Sequence, residues 1–76
     1  MIDTTYSRQM LKDARREAAH KGVAIPKGLH TWSTPSFINW HEVRDKDGAI
    51  LWMGSADDAY YAKAKAIYKI ISRLEK

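Results

Sequence analysis

Two runs of large apolar and β-branched residues, 37–44 and 49–53, flank Asp45-Lys46-Asp47-Gly48. Aspartate and glycine between such runs are a strong hairpin signal, because the turn needs residues that tolerate positive φ. A two-stranded antiparallel unit is therefore predicted. Ser55 follows, and residues 56–73 read as one helix. Ala56, Tyr60, Ala64, Ile67, Ile70, Ile71 and Leu74 recur at helical spacing and make its buried stripe. Lys63 intrudes on that stripe and is expected to snorkel. Ser55 with Asp58 resembles a capping box in which Asp replaces Glu, and Asp57 and Asp58 complement the helix dipole. Residues 36–74 carry most of the large apolar side chains, two of the three tryptophans among them.

With 76 residues the chain is expected to be a single domain, 1–76. That is close to the size below which one core stabilises poorly without disulfides, metal or oligomerisation. There are no cysteines, which excludes disulfides and cysteine-ligated zinc. A hydrophobic content of 45% with three Trp and four Tyr argues for a folded chain. No apolar run approaches the roughly 18 residues of a membrane span. Met1-Ile2-Asp3-Thr4-Thr5 has no charged region leading into an apolar one. The expected location is cytoplasmic, with no membrane partner. A net charge of +4 is compatible with nucleic acid or an acidic protein surface, but is a modest excess.

Upstream of the hairpin, Asp3 or Thr4 can cap a first helix. Tyr6, Met10, Leu11, Ala14 and Ala18 form its light apolar stripe, and Gly22 suits the position just past an end near Lys21. Residues 23–35 read as a connection in which Ile25-Pro26-Lys27-Gly28 is turn-like. Residues 29–32 form a third short strand if the connection is not simply a long loop. The fold class is α+β: a small antiparallel sheet with two helices on one face, in the order α-β-β-α or α-β-β-β-α. The second order and the Ala-rich last helix resemble the double-stranded RNA-binding domain across most of the chain. That family carries a Lys-Lys cluster at the start of its last helix to hold phosphate. Asp57-Asp58 stand there in this chain, and two carboxylates repel phosphate.

Little in the chain suggests chemistry. His20, His30 and His41 form no His-x3-His pair, and His41-Glu42 point to opposite faces of a strand. Residues 56–76 offer no His or Asn for a ββα-metal site. There is no Gly-x-Ser-x-Gly, no reactive cysteine and no Gly-rich phosphate loop. The carboxylate pairs Asp45/Asp47 and Asp57/Asp58 read as turn and capping chemistry. The expectation is a non-enzyme with no cofactor and no metal. Arg8, Lys12, Arg15 and Arg16 cluster on the first helix; Lys65, Lys69, Arg73 and Lys76 do so on the second. Like charges at i,i+4 cost about 0.2–0.5 kcal/mol each. They read either as solvated faces or as contacts for phosphate or an acidic partner. Tyr61 and Tyr68, seven apart, flank Lys65 and fit an aromatic–basic surface or the rim of the core.

The hairpin side chains sort by parity. One face carries Ile38, Trp40, Leu51 and Met53, with Glu42 and Arg44 near the tip. The other carries Phe37, Asn39, His41, Val43, Ile50 and Trp52. The first is expected to be core because its middle lacks polar groups. The second would then be open, and its mixture of aromatic and hydrogen-bonding groups is typical of an interface centre. The alternative is that residues 23–35, with Trp32, close over it. The expected partner-binding residues are Phe37, Asn39, His41, Trp52, Tyr61, Lys65, Tyr68 and Lys69. The expected function is that of a small binding protein that docks on another macromolecule, protein first. In size and make-up it looks like the small accessory proteins of phages, such as anti-CRISPRs and inhibitors of host defence or nucleic-acid-processing enzymes. A nucleic-acid binder using the basic helix faces and a homodimer built on the open sheet are the alternatives.

Overall fold

The structure is a computed structural model and describes residues 3–33 and 39–74. Helix α1 (Thr5–His20) leads through a connection to strand β1 (His30–Ser33). Strands β2 (Trp40–Arg44) and β3 (Ile50–Ser55) and helix α2 (Ala59–Leu74) follow. The sheet is antiparallel in the order β1-β2-β3. The order is therefore α-β-β-β-α, and the third strand runs one residue beyond its expected position.

The local chemistry is largely as the residues suggest. At the start of α1 the Asp3 Oδ1 accepts the Thr5 N–H at 2.9 Å, while Thr4 makes no side-chain cap bond. At its end Gly22 takes φ 69°, and the N–H groups of Val23 and Gly22 donate to Ala18 and Ala19 carbonyls. That is a Schellman motif, and Val23 folds back onto the helix core. In the hairpin, Asp45 Oδ1 accepts from Asp47 at 2.8 Å and Ala49 at 3.0 Å, while Gly48 sits at φ 84°.

The start of α2 differs from expectation by three residues. Ser55 ends β3 opposite Trp40. Ala56 is then tied to β2: its N–H donates to Asn39 O at 2.6 Å, and its carbonyl accepts from His41 Nδ1 at 3.1 Å. With both backbone groups of Ala56 committed to the sheet, the helix cannot begin there. Asp58 becomes the cap, its Oδ1 accepting the Tyr61 N–H at 2.8 Å.

Helix α2 is the shared element of the core. Its Ala62 and Ala66 face the sheet and pack with Val43 and Ala56. Its Ala64, Ile67 and Ile71 meet Leu11, Ala14 and Ala18 of α1. Both helices lie on one side of the sheet, with α2 touching all three strands. Val23, Ile25 and Leu29 of the connection seal the helix pair rather than the far face of the sheet. Small side chains let the elements approach closely. The expected stripes are trimmed: Tyr6 is 77% exposed and Leu74 66%, while Ser7 is buried in place of Tyr6. Tyr60 also faces out, beneath the Arg8 guanidinium at 6.0 Å.

The faces of the hairpin are the reverse of the expectation. Val43 pairs with Trp52 and His41 with Gly54, and this side meets α2. Trp40, Glu42, Arg44 and Met53 lie on the side away from the helices. The reason is β1. Once β1 pairs with β2, Glu42 and Arg44 no longer sit near a tip but in the middle of three strands, opposite Trp32 and His30. Two charged groups there cannot face a helix without losing their water. His41 can lie inward because the Ala56 carbonyl satisfies it.

Candidate functional site: the open face of the sheet

Strand β1 completes a face that the helices leave uncovered. Trp32 is 56% exposed, Met53 48% and Ile50 46%. A register shift between Val43 and Arg44 bulges β3 and brings Ile50 opposite Arg44, so it joins this face. Trp40 lies half-buried at the other end of β2. Across the centre, the Glu42 Oε1 accepts from Arg44 Nη2 at 2.6 Å and from Nε at 3.1 Å. The Arg44 guanidinium also stacks 5.1 Å from the Trp32 ring centroid, and His30 lies tilted 6.5 Å from that ring. His30 donates from Nδ1 to the Gly28 carbonyl at 3.0 Å, which fixes the tautomer of the neutral ring. Charged and aromatic groups are thus held in place from both sides. Aromatic and Arg side chains stand together, ordered, on a face that the helices leave uncovered.

The expected site residues do not assemble into one place. Trp52 lies on the helix side, half-buried, its indole over Gly54, where a Cβ would stand 2.8 Å from the ring. His41 is bonded to the β3–α2 junction. Asn39 is an exposed turn residue at φ 62°, a conformation asparagine tolerates well. Phe37, like Ile38, lies outside the described residues. Tyr61 packs on the cluster beneath the sheet and Tyr68 on the helix pair. Lys65 is half-buried and Lys69 exposed. The residues that sequence reasoning missed are Trp32, Met53, Glu42, Arg44 and His30, while Ile50, expected on the open face, is found there because of the bulge. The signal was the alternation in His30-Thr31-Trp32-Ser33, legible only if that segment is a strand.

The helix pair carries a second surface. Asp13, Arg16, Glu17, His20 and Tyr68 line an open groove of about 430 Å³. Burial holds the Tyr68 hydroxyl above its usual range, and the carboxylates of Glu17 and Asp13 add to the effect, with a contribution from Tyr6. Arg16 lies 4.0 Å from Asp13 and Lys21 3.6 Å from Glu17, both at the surface, where such pairs contribute about 1 kcal/mol or less. Arg8 reaches Tyr60, whereas Asp13 and Glu17 line the Tyr68 flank. Arg16 of the first basic row shares the Tyr68 groove with the carboxylates of Asp13 and Glu17. Among the described residues no group of three His, Asp or Glu side chains is placed to hold a metal ion, and no helix is long and apolar enough to cross a membrane. No family model, curated protein or solved structure matches the chain. The likeness to the double-stranded RNA-binding domain is one of element order, and Asp58 uses as a helix cap the region where that family places lysines.

Proposed function

We propose that this chain is a non-enzymatic binding protein that docks on another protein through the open face of its sheet and acts by occlusion. The supporting observation is the exposure of Trp32, Ile50 and Met53 around an ordered Glu42–Arg44 pair on a face neither helix covers. A lone exposed apolar residue needs no explanation, but three on one face with a stacked Arg do. An inhibitor of a host defence or nucleic-acid-processing enzyme, of the kind small phage proteins provide, is the form of this function we favour.

The test compares baits. Unmodified protein and Trp32→Ala are used to capture partners from nuclease-treated lysate of the source cells, each captured partner then being titrated as a purified protein. The expected result is a defined stoichiometry with the unmodified chain and at least about a tenfold loss with Trp32→Ala, the size of a modest aromatic hot spot. Equal affinity for both baits rejects the open face as the site. The competing reading is phosphate contact through Arg8, Lys12 and Arg15 or through Lys69 and Arg73, all exposed. That reading requires binding to free DNA or RNA at about 50 mM salt that falls steeply as salt rises.

A further inference from the structure

Strand β3 ends the sheet, and three observations concern its outer side. Its residues Ile50–Ser55 contain no charge and no proline, two of the devices that keep an edge from pairing, and its bulge lies at Leu51, which leaves residues 52–55 regular. Val43 on β2 is fully buried, yet Trp52 directly opposite it on β3 is only half-buried, so the inner cover stops at the edge. Tyr61 joins Trp52 on the cluster under the sheet, and Lys65 and Lys69 continue the row of Tyr61 at i+4 and i+8 along α2. Past the carboxylates of Asp57 and Asp58 at its start, the flank of α2 that continues from Tyr61 therefore carries two cations.

The geometry points to β3 as a docking edge for an extended segment of a partner protein whose side chains alternate apolar and acidic. The backbone of such a segment would add a fourth strand to the sheet. Successive side chains of a strand point to opposite faces. Those on the open side would meet Ile50 and Met53; those on the helix side would pass Trp52 and Tyr61 and meet Lys65 and Lys69. The alternation is the recognition element, apolar outward and acidic toward α2. A second copy of the chain fits worse. Ile50–Ser55 has no acid to offer, and a two-fold pairing of β3 strands would bring two sets of Lys65 and Lys69 together. The segment shares Ile50 and Met53 with the open face but not Trp32, which lies two strands away on β1.

The probe is a blocked six-residue peptide alternating valine and glutamate, with a valine–lysine peptide as its counterpart. Backbone amide shifts and amide exchange are followed by NMR. The expected result is perturbation and protection concentrated in Ile50–Ser55 on adding the glutamate peptide, and weak or absent changes with the lysine peptide. Lys65→Glu with Lys69→Glu should weaken binding about tenfold, as two rim attractions become repulsions. If the double variant fails to fold, Lys69→Glu alone changes an exposed position and should still weaken it severalfold. Trp32→Ala should leave peptide binding unchanged, which separates this test from that of the open face. Equal response to both peptides, perturbation centred on Trp32, or a mass of two chains in the free protein overturns the inference.

Discussion

At Gly54 any larger residue would press a Cβ into the Trp52 indole, so the ring lies flat on its own strand only because this position is bare. Trp52 is thereby part of the fold, whereas Trp32 stands on the opposite face, 56% exposed, with Arg44 and His30 beside its ring. Substitution separates the two roles. Trp52→Ala should cost about 3 kcal/mol, the low end for a core aromatic because the ring is half-buried. Trp32→Ala should change stability by no more than about 0.5 kcal/mol. Urea denaturation of both variants, followed by circular dichroism, checks this; equal losses would mean that the open face is core. The sequence sorted Trp40 and Trp52 onto opposite faces by parity but assigned the faces the wrong way round, and it placed Trp32 only in the connection. Parity is a property of one strand, and the choice of inward face depends on what the neighbouring strand makes of Glu42 and Arg44.

Helix α2 was legible as a helix and in Ala64, Ile67 and Ile71, but its first turn was misplaced. Tyr60 and Leu74 face out, and Ala62 and Ala66, which face the sheet, were not on the expected stripe. Ser55 and Asp58 are both good caps by residue type, and local chemistry cannot rank them. The tie is broken by Ala56, whose N–H and carbonyl both bond to β2. Removing the cap oxygen at Asp58 (Asp58→Ala) should therefore cost about 1 kcal/mol, and Ser55→Ala a few tenths at most. Midpoints of chemical denaturation give both numbers. A larger loss at Ser55 would return the start of the helix to that residue. Helix α1 was read closely because its ends are set locally, by Asp3 and by Gly22.

On the scale of the whole molecule, the core is small and built mostly of alanine. The largest fully buried side chains are Ile67 and Val43. Ile67 sits where α2 meets α1, and α2 packs on both that helix and the sheet, with Leu29 touching both clusters. Ile67→Ala should cost about 2–5 kcal/mol. A domain of this size has only about 5 kcal/mol to lose. The expected outcome is a chain largely unfolded at room temperature, seen as loss of near-ultraviolet dichroism from the tryptophans. A melting temperature close to that of the unmodified protein would show that the two clusters are held together by something else.

The amino-acid sequence by itself determined the two helices, the hairpin between them with its turn at Asp45 and Gly48, and part of each helical stripe, because each depends on interactions within a few residues. The fold class follows from these, since two amphipathic helices and a short apolar sheet have few ways to cover one another. Only the tertiary structure decided that residues 30–33 are a strand, that Val43 and Trp52 face inward, and that Trp32 and Met53 face out. The physical reason is that a strand on an edge owes its existence to its partner. The pairing of β1 with β2 also moves Glu42 and Arg44 from a solvated tip to the centre of the sheet, where desolvation forbids them the helix side.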